Sequence, residues 1–182
     1  MNSKSVAAVL AGFFAALTAV GAWVTIPLAP VPFTLQVFFV LLSGLLLGPR
    51  LGFSAMLVYI ALGALGVPVF SGFSAGLLRP TAGYLIAFPL AAAMAGYIAK
   101  TTTHAGFLRL ALASIVALSV IYALGLLWLY YWLNIIANTP TTFAHVFQVG
   151  AAAFIPIDLV KAILAAALAH RLRRIGVFRR IS

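Results

Sequence analysis

The stretch VAAVLAGFFAALTAVGAWVTIPLA, residues 6–29, contains about 24 consecutive residues without a charged side chain. A membrane hydrocarbon core about 30 Å thick needs about 20 helical residues, so this run is long enough to cross a bilayer. It is also longer than the apolar core of a typical secretory signal peptide. We therefore expect it to be a retained first transmembrane helix.

The composition of the whole chain leads to the same class of protein. Hydrophobic residues make up 65% of the sequence, charged residues only 7%, and the mean hydropathy is +1.22. A soluble domain would carry roughly a quarter charged residues to cover its surface. We expect an all-α integral membrane protein, with residues 1–182 forming a single transmembrane domain.

Apolar runs separated by glycine, proline and polar residues predict six transmembrane helices in a compact bundle. Their predicted ranges are 6–28, 34–48, 51–67, 81–99, 107–133 and 142–170, and Pro156 can kink the last of them. The second and third are separated only by GPRLG, residues 48–52, which is a turn signal and predicts an antiparallel helical hairpin.

The distribution of basic residues predicts the orientation in the membrane, because cytoplasmic loops are enriched in Lys and Arg. With six passages and the N-terminus inside, Arg79 is the one basic residue outside and Lys161 lies within a span. The other nine fall inside: Lys4, Arg50, Lys100, Arg109, Arg171, Arg173, Arg174, Arg179 and Arg180. Both termini are therefore predicted to be cytoplasmic. The net charge of +10 then mainly reflects how the chain is oriented in the lipid bilayer, and no nucleic-acid partner is expected.

The segment PIDLVKA, residues 156–162, holds the only acidic residue in the chain, Asp158. Lys161 follows three residues later and shares one face of the predicted sixth helix with it. One interpretation is an ion pair that only neutralises itself or links two helices. The other is a polar ligand site, because burying an ion pair rarely adds net stability, and charged residues inside membranes usually face a cavity.

No pattern in the sequence indicates catalysis or metal binding. A lone carboxylate has no second carboxylate for acid–base chemistry, and neither a Gly-x-Ser-x-Gly elbow nor a phosphate-binding P-loop is present. His104, His145 and His170 are scattered toward predicted helix ends, and there is no cysteine. We expect no enzyme activity, and any ATP hydrolysis would belong to another polypeptide.

Small residues repeat at spacing four on two neighbouring rows of the first helix. One row is Ala7, Ala11 and Ala15, and the other is Ala8, Gly12 and Ala16. Such rows allow helices to approach closely in lipid. Spacing alone does not distinguish packing within this chain from docking of a partner membrane protein.

Three blocks of sequence resemble the BioY family. They are PVPFTLQVFFVLLSGLLLGPRLG (30–52), LGVPVFSGFSAG with RPTAGYLIAFPLAA (65–92), and PIDLVKAILAAALAHRLRR (156–174). The resemblance covers most of the chain and is weak over 101–153. It implies a biotin-specific substrate-binding (S) subunit of an energy-coupling factor (ECF) transporter, with six helices. Biotin, as the transported ligand, would lie under the loop joining the first two helices.

The resemblance also implies roles for individual residues. Asp158 and Lys161 become the partners of the ureido ring of biotin, which agrees with the donors and acceptors of these groups. Phe33, Thr34 and Gln36 match the loop block, Tyr84 matches the second block, and Arg79 is a candidate for the valerate carboxylate. The alanine rows resemble the surface that contacts the transmembrane coupling subunit.

The implied assembly contains a coupling subunit and two ATPase subunits in the prokaryotic cytoplasmic (inner) membrane, with no cofactor. Two other classes of function remain as alternatives. One is a secondary or proton-coupled small-molecule carrier that uses Asp158 as its titrating group. The other is a structural membrane protein whose ion pair only fixes helix packing.

The predicted orientation is testable with topology reporters. Fusions after Arg180 and at Lys100 are expected to report the cytoplasm, and fusions near Asn138 are expected to report the outside, because basic loops are retained inside. Activity of a periplasmic or extracellular reporter fused after Arg180 would contradict the orientation.

Overall fold

The computed structural model of the chain describes residues 3–27, 31–100 and 106–175, with the backbone alone for Ser3, Lys4 and Lys100. In chain order the helices are α1 (Ser3–Trp23), α2 (Gln36–Ala64), α3 (Ala82–Lys100), α4 (Phe107–Tyr131), α5 (Phe143–Phe147) and α6 (Ile155–Arg174). Two π-helical turns, π1 (Trp132–Ile136) and π2 (Gln148–Ala152), follow α4 and α5. Two short strands, β1 (Thr25–Ile26) and β2 (Phe33–Thr34), lie between α1 and α2.

The described helices confirm the class of fold. By length and composition four of them, with α2 counted as one helix, are long and apolar enough to cross a membrane, and the bent pair formed by 143–152 and 155–174 adds a fifth when it is counted as one span. Helix α1 packs on α2, α2 on α3 and α3 on α4, while α6 contacts both α2 and α4. The large buried side chains lie between these elements, whereas many Leu, Ile and Val side chains are exposed on the outside, as expected for a surface that faces lipid.

The first helix ends earlier than its predicted limit. Helix α1 stops at Trp23, and residue 28, its predicted end, lies outside the described residues. Arg179 and Arg180, two of the predicted cytoplasmic basic residues, also lie outside them. The chain then becomes extended and β1 pairs antiparallel with β2, Thr25 opposite Thr34. Thr25 and Ile26 are β-branched and suit an extended backbone. This two-stranded ribbon returns the chain to the start of α2.

Helix α2 reverses direction at Gly48, where φ is +81°. The amide of Gln36 donates to the hydroxyl of Tyr59, and Gly52 lies against Gly44. Residues as far apart as Gln36 and Tyr59 would be separated by about 34 Å in a straight helix, so the two limbs of α2 run antiparallel. The helical hairpin predicted from GPRLG is therefore present, and Gly48 supplies the positive φ that its turn requires.

Helix α3 packs tightly against this hairpin. A Cβ at Gly44 would collide with the backbone of Ala92, and a Cβ at Gly96 would collide with the backbone at the Gly48–Pro49 turn. Arg173 of α6 closes the same end of the bundle, donating to the carbonyl oxygens of Ala99 (3.1 Å) and Leu45. Both carbonyls lie near helix ends, where cationic donors are favourable.

The helix predicted over 142–170 is interrupted, and the break lies just before Pro156, the residue expected to kink it. Helix α5 and π2 form one limb, α6 forms the other, and the two meet at a bend of 41° around residues 153–154. Pro156 lies in the first turn of α6, where its missing N–H costs nothing. The bend gives α6 a new N-terminus inside the protein, and Asp158 lies in its first turn.

Candidate functional site

The site is built around an ion pair on α6. Lys161 Nζ lies 2.7 Å from Asp158 Oδ1, and the two residues are only 5% and 6% exposed. Their i,i+3 spacing places them on one helix face, as predicted. The carboxylate also lies in the first turn of α6, where the partial positive charge of a helix N-terminus favours an anion. The bend before α6 therefore creates an electrostatically suitable position for Asp158.

The second carboxylate oxygen has its own donor. The hydroxyl of Tyr122, on α4, donates to Asp158 Oδ2 at 2.6 Å. Both oxygens thus accept a hydrogen bond, and each retains further lone-pair capacity toward a ligand. Tyr122 was not predicted from the sequence. The signal that points to it is a tyrosine near the middle of an apolar span, away from the aromatic residues at the end of α4, since a buried hydroxyl needs a partner.

Lys161 also contacts the loop before α2. Its ammonium group donates to the carbonyl oxygen of Thr34 at 2.6 Å and lies 3.8 Å from the centre of the Phe33 ring. The first contact is a charge-assisted hydrogen bond and the second is a cation–π interaction. Phe33 and Thr34 form β2, so the ion pair on α6 holds this loop in place.

Thr34 and Gln36 form a second polar group beside the ion pair. The Thr34 hydroxyl donates to Gln36 Oε1 at 3.0 Å and accepts from the Gln36 backbone N–H at 3.3 Å. Both residues are buried. The structure thus brings together five of the predicted site residues: Phe33, Thr34, Gln36, Asp158 and Lys161.

A cavity of about 60 Å³ lies among these side chains. Its polar lining comes from the groups above with Tyr84, Tyr122, Ser71 and Thr81, and its apolar lining includes Val31, Val37, Leu85, Phe88, Ile121 and Phe154. Binding sites for small molecules typically have apolar walls, a few convergent polar groups and volumes of about 300–1,000 Å³. The lining fits such a site, and the volume is below that range.

Tyr84 lies on α3 and lines the cavity, as predicted. Its hydroxyl donates to the carbonyl oxygen of Gly150 in π2 at 2.9 Å, and its ring packs edge-on against Tyr122, with 6.4 Å between ring centres. A Cβ at Gly150 would collide with the Tyr84 hydroxyl, so the close approach requires glycine there. The hydroxyl oxygen can still accept a hydrogen bond from a ligand.

Arg79 does not line the cavity. Its guanidinium donates to the hydroxyls of Ser74 and Ser71, the latter at 3.4 Å, and lies 5.8 Å from the centre of the Phe70 ring. Burial lowers the pKa of Arg79, because desolvation disfavours the charged form. Ser71 does line the cavity, so the side chain of Ser71 lies between Arg79 and the cavity. Its contact with a ligand carboxylate stays a prediction.

The two small-residue rows of α1 face different surroundings. Ala11 and Ala15 are 6% and 2% exposed and belong to the core, while Ala7 is half-buried. That row packs inside the chain, and a partner cannot reach Ala11 and Ala15 while they are covered. Ala8, Gly12 and Ala16 are exposed. Docking therefore remains a prediction for the outer row alone.

The described residues contain no group of three or more His, Cys, Asp or Glu side chains that could hold a metal ion. His145 is exposed on α5, His170 is half-buried on α6, and His104 lies outside the described residues.

Comparison with known proteins identifies the family. A family model described as the BioY family matches residues 1–177. The chain belongs to the BioY family.

Individual relatives match this BioY-family chain over nearly its full length. The probable biotin transporter BioY of Pyrococcus horikoshii is 46% identical over 176 residues, which cover 95% of this chain and 98% of that protein. The biotin transporter BioY of Thermotoga maritima is 43% identical over 173 residues, covering 93% and 96%. These matches confirm the resemblance inferred from the three sequence blocks.

A solved structure has the same fold as this BioY-family chain. The crystal structure of the S-component for biotin from an ECF-type ABC transporter superimposes with a TM-score of 0.86 and 27% identity. The match covers 100% of this chain and 98% of that one.

The energetic coupling of the ion pair is testable by measuring stability in detergent. Lys161→Met leaves Asp158 buried without its ammonium partner, and removing one member of a buried pair costs about 3–5 kcal/mol. The double variant Asp158→Asn/Lys161→Met removes both charges and is expected to melt at a higher temperature than Lys161→Met alone. Strictly additive losses in the two single variants and the double variant would show that the charges do not stabilise each other.

Proposed function

We propose that this chain binds biotin and serves as the substrate-specific subunit of an ECF-type ABC transporter. The observation that carries the proposal is the buried cluster of Asp158, Lys161 and Tyr122 facing an apolar cavity in a BioY-family fold. The names of the relatives in archaea and bacteria support biotin as the ligand.

The chemistry of the cluster matches the ureido ring of biotin. The ring presents N–H donors and a carbonyl acceptor, and it carries no charge. Asp158 can accept from a ureido N–H, and Lys161 can donate to the ureido oxygen. The bicyclic ring and alkyl chain would contact the apolar wall, including Phe33 and Phe88. Each type of group on the ligand thus has a partner of the right kind.

The valerate carboxylate would point toward the loop between α2 and α3, where the cavity is lined by Ser71 and Thr81. Arg79 donates to Ser71 from behind and supplies positive charge to this end of the cavity. We propose that Arg79 stabilises the ligand carboxylate through its hydrogen bond to Ser71 and through its positive charge.

Energy for transport would come from other polypeptides. We propose a transmembrane coupling subunit and two ATPase subunits as partners, because the chain carries no phosphate-binding loop of its own. We place the assembly in the prokaryotic cytoplasmic membrane. When the two limbs of α2 are counted as separate passages, the proposed assembly has this chain crossing the membrane six times. We place both termini in the cytoplasm. In this proposal the chain is one domain that needs no cofactor.

A proton-coupled carrier using Asp158 as titrating group fits the site less well. Both carboxylate oxygens are held by donors, Lys161 and Tyr122, and the chain has no second carboxylate to receive a proton. A purely structural ion pair would not require the cavity that adjoins it.

The biotin site is tested by two substitutions. Asp158→Asn and Lys161→Ala each remove a charge-assisted hydrogen bond to the ureido ring, a contribution of about 1.5–3 kcal/mol. Biotin affinity measured on purified protein is therefore expected to fall about ten- to a hundredfold or more. Ile163→Ala, on the exposed side of α6, is the matched control and is expected to bind like the parent. Parental affinity in both charge variants would refute this assignment of the site.

The docking surface is tested on the exposed row of α1. Ala16→Leu adds a large side chain on that row without entering the core, so it is expected to preserve biotin binding and to reduce co-purification of the coupling subunit. Ala61→Leu places the same change on an exposed position of α2 and should leave assembly intact. Full co-purification with Ala16→Leu would argue against docking through this row.

A further inference from the structure

A chain of hydrogen bonds runs from the ion pair to the loop between α2 and α3, residues 65–81. Lys161 donates to the Thr34 carbonyl at 2.6 Å, and the Thr34 hydroxyl donates to Gln36 Oε1 at 3.0 Å. The Gln36 amide then donates to the Tyr59 hydroxyl, which in turn donates to the carbonyl oxygen of Val69 at 3.0 Å. The chain links α6, β2 and both limbs of α2 to the loop.

Tyr59 is the least exposed residue in this chain of hydrogen bonds. It is fully buried, and it is not among the residues that line the cavity. Its ring packs edge-on against Phe70 of the loop, 5.4 Å between ring centres, and lies parallel to Phe88 of the cavity wall at 6.5 Å. Its hydroxyl accepts from one side and donates to the other, so its orientation is set by both neighbours.

The loop that receives the last hydrogen bond is tightly organised. Phe70 and Ser74 form a backbone bridge around Gly72 and Phe73, both of which have positive φ, and Arg79 donates to Ser74. Trp23 of α1 stacks on Phe73 and donates to the carbonyl of Pro68 at 3.1 Å. Because these contacts tie the loop to itself and to α1, a shift at Val69 displaces a structured unit rather than one residue.

Ligand binding acts on the first link of the chain. The cavity measures about 60 Å³, and the Lys161 ammonium donates to Thr34 and Asp158 with two of its three N–H groups. The ammonium has a third N–H, and a ureido carbonyl that accepts from it turns the ammonium and so alters its hydrogen bond to the Thr34 carbonyl. Thr34 therefore changes its hydrogen bonding or its position, and Gln36, bonded to it twice, changes with it.

We propose that Tyr59 is a positioning residue that couples ligand occupancy at Lys161 to the α2–α3 loop without contacting the ligand. The coupling rests on the proposed function, because it takes a ligand carbonyl at Lys161 as its input. Its output is the position of residues 65–81, the loop that contributes Ser71 to the cavity wall and contacts the C-terminal end of α1 through Trp23.

The absence of cysteine from the sequence allows a direct test. Ala75 is exposed in the loop, so Ala75→Cys supplies a single thiol whose rate of reaction with a maleimide reports the local environment. Saturating biotin is expected to change that rate about fivefold, the size of effect produced by altering one hydrogen bond in a local opening equilibrium. The double variant Ala75→Cys/Tyr59→Phe is expected to bind biotin, but the change that biotin causes in its rate of reaction with maleimide should fall below about twofold.

Two further variants separate coupling from general loosening of the loop. Trp23→Phe removes the hydrogen bond to Pro68 but leaves the chain through Tyr59 intact, so it should retain the biotin response. Thr34→Val breaks the chain at another link; because Thr34 lines the cavity, its biotin affinity is measured first, and the response should be lost at biotin concentrations that saturate this variant. This variant also covers the case in which Tyr59→Phe does not fold.

The outcomes distinguish the coupling from the function on which it rests. A full response to biotin in Tyr59→Phe or Thr34→Val, or an equal loss of response in Trp23→Phe, would overturn the role of Tyr59. Biotin binding to the Ala75→Cys protein without any change in its thiol reactivity would also overturn it, while leaving the proposed function standing. Failure of the Ala75→Cys protein to bind biotin at all would contradict both.

Discussion

A carboxylate and an ammonium group buried 2.7 Å apart inside an apolar bundle determine where the other polar atoms of this protein must lie. Each charge costs at least about 2.5–3.5 kcal/mol to place within a membrane-spanning helix, so neither is tolerated without partners. Tyr122 supplies a donor to the carboxylate, and the backbone of Thr34 supplies an acceptor to the ammonium. Among the described residues, no buried side-chain nitrogen or oxygen is left without a hydrogen bond.

The irregular parts of the backbone supply favourable partners to Asp158 and Lys161. The bend at residues 153–154 gives α6 a fresh N-terminus, and Asp158 lies in its first turn. The ribbon of β1 and β2 returns the chain so that the Thr34 carbonyl faces Lys161. Non-helical backbone at membrane depth is tolerated where it is buried in protein or lines a cavity, and both features border the same cavity.

Local chemistry made some of this structure predictable from the sequence. The turn at Gly48 follows from a glycine–proline signal between two apolar runs. The shared face of Asp158 and Lys161 follows from helical spacing, and the membrane class follows from composition. The loop residues Phe33, Thr34 and Gln36 were placed near the pair only through family resemblance, since they lie more than a hundred positions away along the chain.

Other features depend on tertiary contacts that no local pattern records. Tyr122 acquires its role only when α4 packs against α6. The bend before α6 falls at residues 153–154; Pro156 indicates a kink in this apolar run but not its exact position or angle. Ala11 and Ala8 lie on neighbouring rows of small residues, and only the packing of α1 on α2 separates the buried row from the exposed one.

The Asp158–Lys161 pair is proposed to recognise the ureido ring of biotin. The most direct test compares the affinity of the purified protein for biotin with that for an analogue whose ureido oxygen is replaced by an imino nitrogen, giving a cationic guanidinium. The analogue cannot accept from Lys161 and brings a second positive charge beside the ammonium, so we expect its affinity to be lower by about a hundredfold or more. Removing only the ring sulfur should cost far less. Equal affinity for biotin and the cationic analogue would contradict the account.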